Sequence, residues 1–195
     1  MKNNLQMIAV LTLLGVASGG GLVFMARYAE PLIAQHQEES IKEAVRQVLP
    51  AFDLAREKII KADGQKVYAE YDDQGNLVGY AFKAEGPGFQ DKIFIMIGLA
   101  PDLEHLAGIK IMDPLKETPG LGEKIKSEAW FQEQFRGKDV SRPLKIKPER
   151  PADVDAITGA TISSQAVTRI INENIPFIKE AVKRGSGSEA PEQSP

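Results

Sequence analysis

No cysteine occurs in the 195 residues, which excludes thiolate metal sites, cysteine-ligated iron–sulfur clusters and disulfides. Histidine is nearly absent. His36 and His105 are the only two, and both lie in polar stretches, the setting of solvated imidazoles rather than of ligands or general bases. Positive charge is not in excess: 24 Lys and Arg face 27 Asp and Glu, for a net charge of −3 and a pI near 5.5. No basic face advertises a nucleic-acid partner. No Ser/His/Asp arrangement and no metal-ligand cluster stands out, so no catalytic or metal-binding residue is assigned. Redox chemistry in such a chain falls to an organic cofactor.

What is present begins with an apolar run. "LQMIAVLTLLGVASGGGLVFMA", Leu5 to Ala26, holds no charged residue, and at about 1.5 Å per helical residue it just crosses a bilayer core of roughly 30 Å. A cleaved signal peptide competes, with "ASG" (Ala17 to Gly19) as its small-residue site. "LVFMA" carries the apolar run past that point, which favours a retained anchor. Gly15 and Gly19 form a Gly-x-x-x-Gly pair suited to close helix packing, although glycine is common in membrane helices. Lys2 precedes the span and Arg27, Lys42 and Arg46 follow it. That count leans towards a cytoplasmic carboxy-terminal side, but large following domains translocate largely regardless of such charges.

The remainder predicts an α+β domain of mainly antiparallel strands with packed helices. The expected organisation is an anchor over 1–29, a linking helix over 30–50, the domain over 51–184 and a disordered tail over 185–195. Ile41, Val45, Val48 and Leu49 recur at helical spacing before Pro50, whose missing N–H signals a helix end. "KVYAEYDDQGNLVGYAFKAEG" alternates on either side of Asp72–Asn76, which predicts a hairpin with Asp72 and Asp73 as turn residues. Strands are expected over Lys92–Ala100 and Leu106–Asp113. "GPGFQD", from Gly86, lacks the third glycine of a dinucleotide fingerprint and precedes a strand, so it is not a Rossmann turn. A helix is expected over Leu121–Phe135, with Ile125, Ala129, Phe131 and Phe135 inward and Trp130 in core or interface packing. The last helix starts near Thr161, with Pro176 kinking or interrupting it.

Two short stretches carry chemistry. In "DAITGATISSQAV" (Asp155 to Val167), Thr158, Thr161, Ser163 and Ser164 crowd a Gly-Ala pair at a helix entrance. Such an entrance offers unpaired N–H groups and partial positive charge, and Gly159 and Ala160 allow a phosphate to approach. A threonine there can hydrogen-bond to a phosphate or be esterified by one. The competing reading is a plain N-cap by Thr158 or Thr161. In "KETPGLGEKI" (Lys116 to Ile125), Pro119, Gly120 and Gly122 make a tight loop with Glu117 and Thr118 as polar contacts. It is not a P-loop, since the Gly-Lys-Ser/Thr ending is absent.

The order of membrane span, "ETPGLGEK" and "DAITGATISS" resembles the G subunit of Rnf electron-transport complexes and its relative, the C subunit of sodium-pumping NADH:quinone reductases. Both belong to the covalent FMN-binding domain family. The likeness covers nearly the whole chain except the tail. It implies covalent FMN on Thr161, the last threonine of Asp-x-x-Thr-Gly-Ala-Thr, held through a phosphoester that a separate flavin transferase installs. It also implies that Thr158, Gly159 and Ala160 shape the phosphate environment, that Asp155 belongs to the transferase's recognition motif, and that Glu117, Thr118, Leu121 and Gly122 border the flavin. The implied function is a redox subunit of a membrane translocase that exchanges electrons between ferredoxin and NAD and moves sodium or protons. Its partners would be the other membrane subunits, with a single-pass anchor in the cytoplasmic membrane and the globular domain outside. The quinone-reductase subunit is the nearest alternative, disfavoured by the compact length. A non-redox anchor or assembly subunit is the alternative from another class.

Overall fold

The computed structural model describes residues 2–49, 57–62 and 65–186. The chain forms two compact units, Met1–Ile41 and Lys42–Pro195. The described residues of the first unit all belong to helix α1 (Lys2–Val48). It contains Gln6–Ala29, the one stretch among the described residues long and apolar enough to cross a membrane. Pro50, expected to end the helix, and most of the expected tail (187–195) fall outside the described residues.

The second unit is built on a five-stranded sheet in which every strand pairs antiparallel with its neighbour in sequence. Its strands are β1 (Glu57–Ala62), β2 (Gln65–Tyr71), β3 (Leu77–Pro87), β4 (Lys92–Leu99) and β5 (Leu106–Ile111). The alternation in β4 explains its place: Ile93, Ile95, Ile97 and Leu99 are fully buried on one face, where period-two side chains share a side. That face receives helix α4 (Thr161–Ser186), whose Val167, Ile170, Ile171, Ile175 and Ile178 are buried at helical spacing in the same core. The opposite face is met by the end of α1, where Val45, Val48 and Leu49 are buried. Glycines make room there. A Cβ on Gly98 would lie 3.0 Å from Val48 Cβ, and one on Gly79 only 2.9 Å from Leu49 Cδ2.

The expected hairpin is β2–β3, and the two expected apolar strands are β4 and β5, slightly shortened. Strand β1, "EKIIKA", was not anticipated, because its short sequence shows no clear alternation. The helix expected over Leu121–Phe135 is instead two short ones, α2 (Lys124–Ser127) and α3 (Ala129–Glu133), separated by extended backbone at Glu128 with ψ near 100°. The break turns Ile125, Phe131 and Phe135 into the core but leaves Ala129 exposed. Trp130, expected in packing, is 45% exposed and meets Phe131 edge-on. Core packing is therefore not its role. Helix α4 is not interrupted at Pro176 and runs on to Ser186. An interior proline costs about 3 kcal/mol, and the buried Ile171, Ile175, Ile178, Ala181 and Val182 on both sides of it offset that cost.

Candidate functional site

The loop before α2 and the start of α4 meet across a cleft of about 330 Å³, within the range of ligand sites, roughly 300–1,000 Å³. Thr118, Leu121 and Gly122 line one side, and Gly159, Ala160, Thr161, Ile162 and Ser163 the other. Phe89, from the β3–β4 turn, completes it. Phe89, Leu121 and Ile162 are about half exposed or more, so the mouth is apolar while its inner end is a helix start. No Lys or Arg lines it, which leaves the helix terminus as the positive element.

Local backbone geometry explains the small residues. Gly159 has φ of +82°, a left-handed conformation that a side chain strains, and the turn closes with Ala160 N–H donating to Ile157 O at 2.9 Å. Helix α4 then begins, with Ser164 N–H donating to Ala160 O at 2.9 Å. The amides of Thr161, Ile162 and Ser163 have no protein acceptor among the described residues, as the first turn of a helix requires unless a side chain caps it.

The hydroxyls divide into two classes. Ser164 Oγ donates to Ala160 O at 2.9 Å and accepts from Ile157 N–H at 3.1 Å. Ser163 Oγ donates to Glu117 Oε2 at 2.7 Å. Both serines are buried. Thr158 and Thr161 are exposed. Among the described residues no hydrogen bond joins either threonine side chain to a helix amide, whereas Ser163 and Ser164 are held by bonds within the fold.

Of the sequence-predicted residues, Thr118, Leu121, Gly122, Gly159, Ala160 and Thr161 come together in the cleft. Thr158 stands outside it on the adjoining turn. Glu117 was expected to border the ligand and does not line the cleft: it is 5% exposed, and its Oε1 accepts from Phe89 N–H at 2.9 Å and Gln90 N–H at 3.2 Å. Asp155 is exposed, ion-paired with Lys147 at 2.7 Å, and its backbone is held by Gln134 through two hydrogen bonds. It faces solvent, where another protein can reach it.

Sequence reasoning misses Phe89. Its segment, "GPGFQD", invites comparison with a nucleotide fingerprint, and the glycines flanking a strand end are the one available signal of a close approach. The turn is fixed from three directions: by Glu117, by Arg169 of α4, whose Nη2 donates to Pro87 O at 2.5 Å, and by Lys116, 3.4 Å from Asp91. The Lys92 amide, and after it Lys116, hold the Asp91 carboxyl below its ordinary range.

The histidines are surface residues, though not without partners. His105 Nδ1 lies 2.7 Å from Asp102 Oδ2, a contact that raises the imidazole's pKa, and His36 lies 3.7 Å from Glu39. No cluster of three metal-ligating side chains occurs among the described residues.

The profile of the FMN-binding domain family matches residues 88–175, a range that includes every residue lining the cleft. NqrC of Shewanella oneidensis shares the fold, with a TM-score of 0.55 at 19% identity over 71% of this chain and 72% of that one. Across 187 residues, 91% of this chain and 97% of the relative, it is 32% identical to the G subunit of the ion-translocating oxidoreductase complex of Methanosarcina acetivorans. It is 34% identical over 159 residues to the G subunit of the Na(+)-translocating ferredoxin:NAD(+) oxidoreductase complex of Acetobacterium woodii, covering 75% of this chain and 73% of the relative. The chain belongs to the G-subunit family of ion-translocating oxidoreductase complexes.

Proposed function

We propose that this chain is the flavoprotein subunit of an Rnf-type membrane complex, carrying FMN as a phosphoester on Thr161 and relaying electrons between neighbouring subunits. The observation that carries the reading is the free Thr161 hydroxyl beside three helix amides that no protein group satisfies among the described residues. Among the four clustered hydroxyls, Ser163 and Ser164 are buried and committed. Thr158 is accessible but lies outside the cleft, which leaves Thr161.

The flavin supplies the redox chemistry, and the chain supplies place and electrostatics. Thr161 would tether the phosphate, and the amides of Thr161, Ile162 and Ser163 would face it with the helix's partial positive charge. Phe89, Leu121 and Ile162 would exclude water from the ring, while Gly159 lets backbone approach it. Forming the ester joins Thr161 Oγ to phosphorus and releases the hydroxyl proton and a leaving group. The donor must therefore be a flavin nucleotide activated at that phosphate, and a separate flavin transferase would use it, with Asp155 as part of its recognition surface.

The span Gln6–Ala29 would be a single-pass anchor in the cytoplasmic membrane, with the domain on the outer side and the other membrane subunits of the complex as partners. Exchange between ferredoxin and NAD, coupled to sodium or proton movement, would belong to the whole complex and not to this chain alone. G-subunit relatives at 32% and 34% identity favour this assignment over the quinone-reductase subunit.

The test is intact mass and in-gel flavin fluorescence after denaturation, with the chain exported in a host that has the flavin transferase. One FMN adduct that disappears in Thr161→Ala is expected. No adduct in the wild-type chain, with the transferase active on a control protein, sinks the covalent reading and brings the non-redox anchor forward.

A further inference from the structure

Glu117 is the one carboxylate among the described residues that touches both sides of the cleft without lining it. Its Oε1 receives the amides of Phe89 and Gln90 from the β3–β4 turn, and its Oε2 receives the Ser163 hydroxyl from the first turn of α4. Three donors converge on two oxygens that are almost wholly shielded from water. The cavity around them is cut to size by absent side chains. A Cβ on Gly88 would collide with Oε1, and one on Gly122 would lie 2.8 Å from Oε2 and 2.9 Å from Ser163 Oγ. "G-x-G" before Phe89 and "E-T-P-G-L-G" are thus two halves of one buried device, and this explains why the glutamate of the second motif hides beneath the cleft.

We infer that Glu117 is a positioning residue: its carboxylate clamps the Phe89 turn to the start of α4, and so fixes the separation of the apolar wall and the phosphate-facing amides. The inference rests on the flavin reading above for its purpose but not for its mechanics. The Ser163 hydroxyl, spent on Glu117, is withdrawn from the cleft, and the amides of Thr161, Ile162 and Ser163 are held in one orientation. Any loosening at Oε2 frees the carboxylate to rotate and is felt at Oε1, across the cleft.

The full-length chain in detergent provides the test, with two readouts. The first needs no flavin: hydrogen exchange at the Phe89 and Gln90 amides in a Thr161→Ala background. Ser163→Ala removes one of three bonds and touches neither amide, yet the clamp predicts exchange there about tenfold faster, the equivalent of one buried hydrogen bond. Glu117→Gln retains an acceptor for the two amides but reverses the bond to Ser163, and it should fall between wild type and Ser163→Ala. Glu117→Ala removes all three bonds and should exceed both; should it fail to fold, Ser163→Ala still decides. The second readout uses the flavin-loaded chain, where a shifted visible spectrum and midpoint potential in Ser163→Ala are expected. A loaded wild type whose Ser163→Ala variant keeps wild-type exchange and spectrum overturns the clamp alone. A wild type that takes no adduct overturns the flavin reading and with it this purpose for Glu117, whatever the exchange rates.

Discussion

Two turns rich in small polar residues sit in the same domain and treat their backbone donors in opposite ways. At the β2–β3 hairpin, Asp72 Oδ1 accepts from the amides of Gln74 at 2.9 Å and Asn76 at 2.7 Å, and Asp72 O accepts from Gly75 N–H at 3.0 Å. That turn satisfies itself. At the entrance to α4, the serines turn inward and both threonines leave the first three helix amides open. Composition does not separate these turns. What separates them is whether the polar side chains serve their own backbone or leave it for something else.

The sharpest way to break the contrast is to exchange losses. Thr161→Ala should abolish the flavin adduct with little change in stability, whereas Asp72→Ala should lower the melting temperature and leave the adduct intact; intact mass and thermal melts read both. Equal loss of adduct in the two variants would show that loading only reports folding.

The glycines give the next largest effect, since they serve different needs. Gly88→Ala drives a Cβ against Glu117 Oε1, Asp91 O and Ile93 Cδ1, all within 2.8 Å, and should cost about 1–3 kcal/mol by overpacking. Gly75 has open space and φ of +85°, so Gly75→Ala meets backbone strain alone, about 1 kcal/mol. Urea titration orders the pair, and only the first should also reduce flavin loading.

A smaller effect tests the loop that leads into the α4 entrance. Arg142 grips Asp153 with two bonds of 2.7 and 2.9 Å, and chiefly for that reason the carboxyl falls from 3.8 to about 2. A carboxyl depressed in the folded state adds stability that is complete above its unfolded pKa and lost as pH falls through the folded one. About 1 kcal/mol, discounted for the exposed guanidinium, should therefore disappear between about pH 4 and 2. Arg142→Ala should flatten that part of the pH–stability curve. Asp72 follows the same sign, its carboxyl lowered mainly by the Asn76 side chain.

The smallest expected effect is at Thr158. Thr158→Ala should keep the adduct and change stability by less than about 0.5 kcal/mol. Loss of flavin there would move Thr158 from the rim into the attachment machinery.

Much of the fold was legible because it follows from period and punctuation. Alternation marked β2 and β3, apolar runs marked β4 and β5, and the Asp72–Asn76 turn announced its hairpin. The misreadings share one cause, which is that tertiary burial overrode local pattern. Leu121–Phe135 has helical spacing, yet the chain breaks at Glu128 so that Ile125 and Phe131 can both reach the core. Pro176 signals a stop, yet buried residues on both sides carry α4 through it. At the cleft, the two motifs meet around Thr161, while Glu117 lies buried beneath it and Phe89 joins it without any motif of its own.

By itself, the sequence determined where an apolar helix, a sheet of antiparallel strands and a hydroxyl-rich helix entrance would form, because those depend on side-chain period, charge and backbone freedom within a few residues. Only the tertiary structure decided which hydroxyls remain free. The Glu117 carboxylate meets Ser163, 46 positions away, and the amides of Phe89 and Gln90, 28 and 27 positions away. No local pattern encodes such distances; they are set when the β3–β4 turn, the glycine loop and α4 pack against one core.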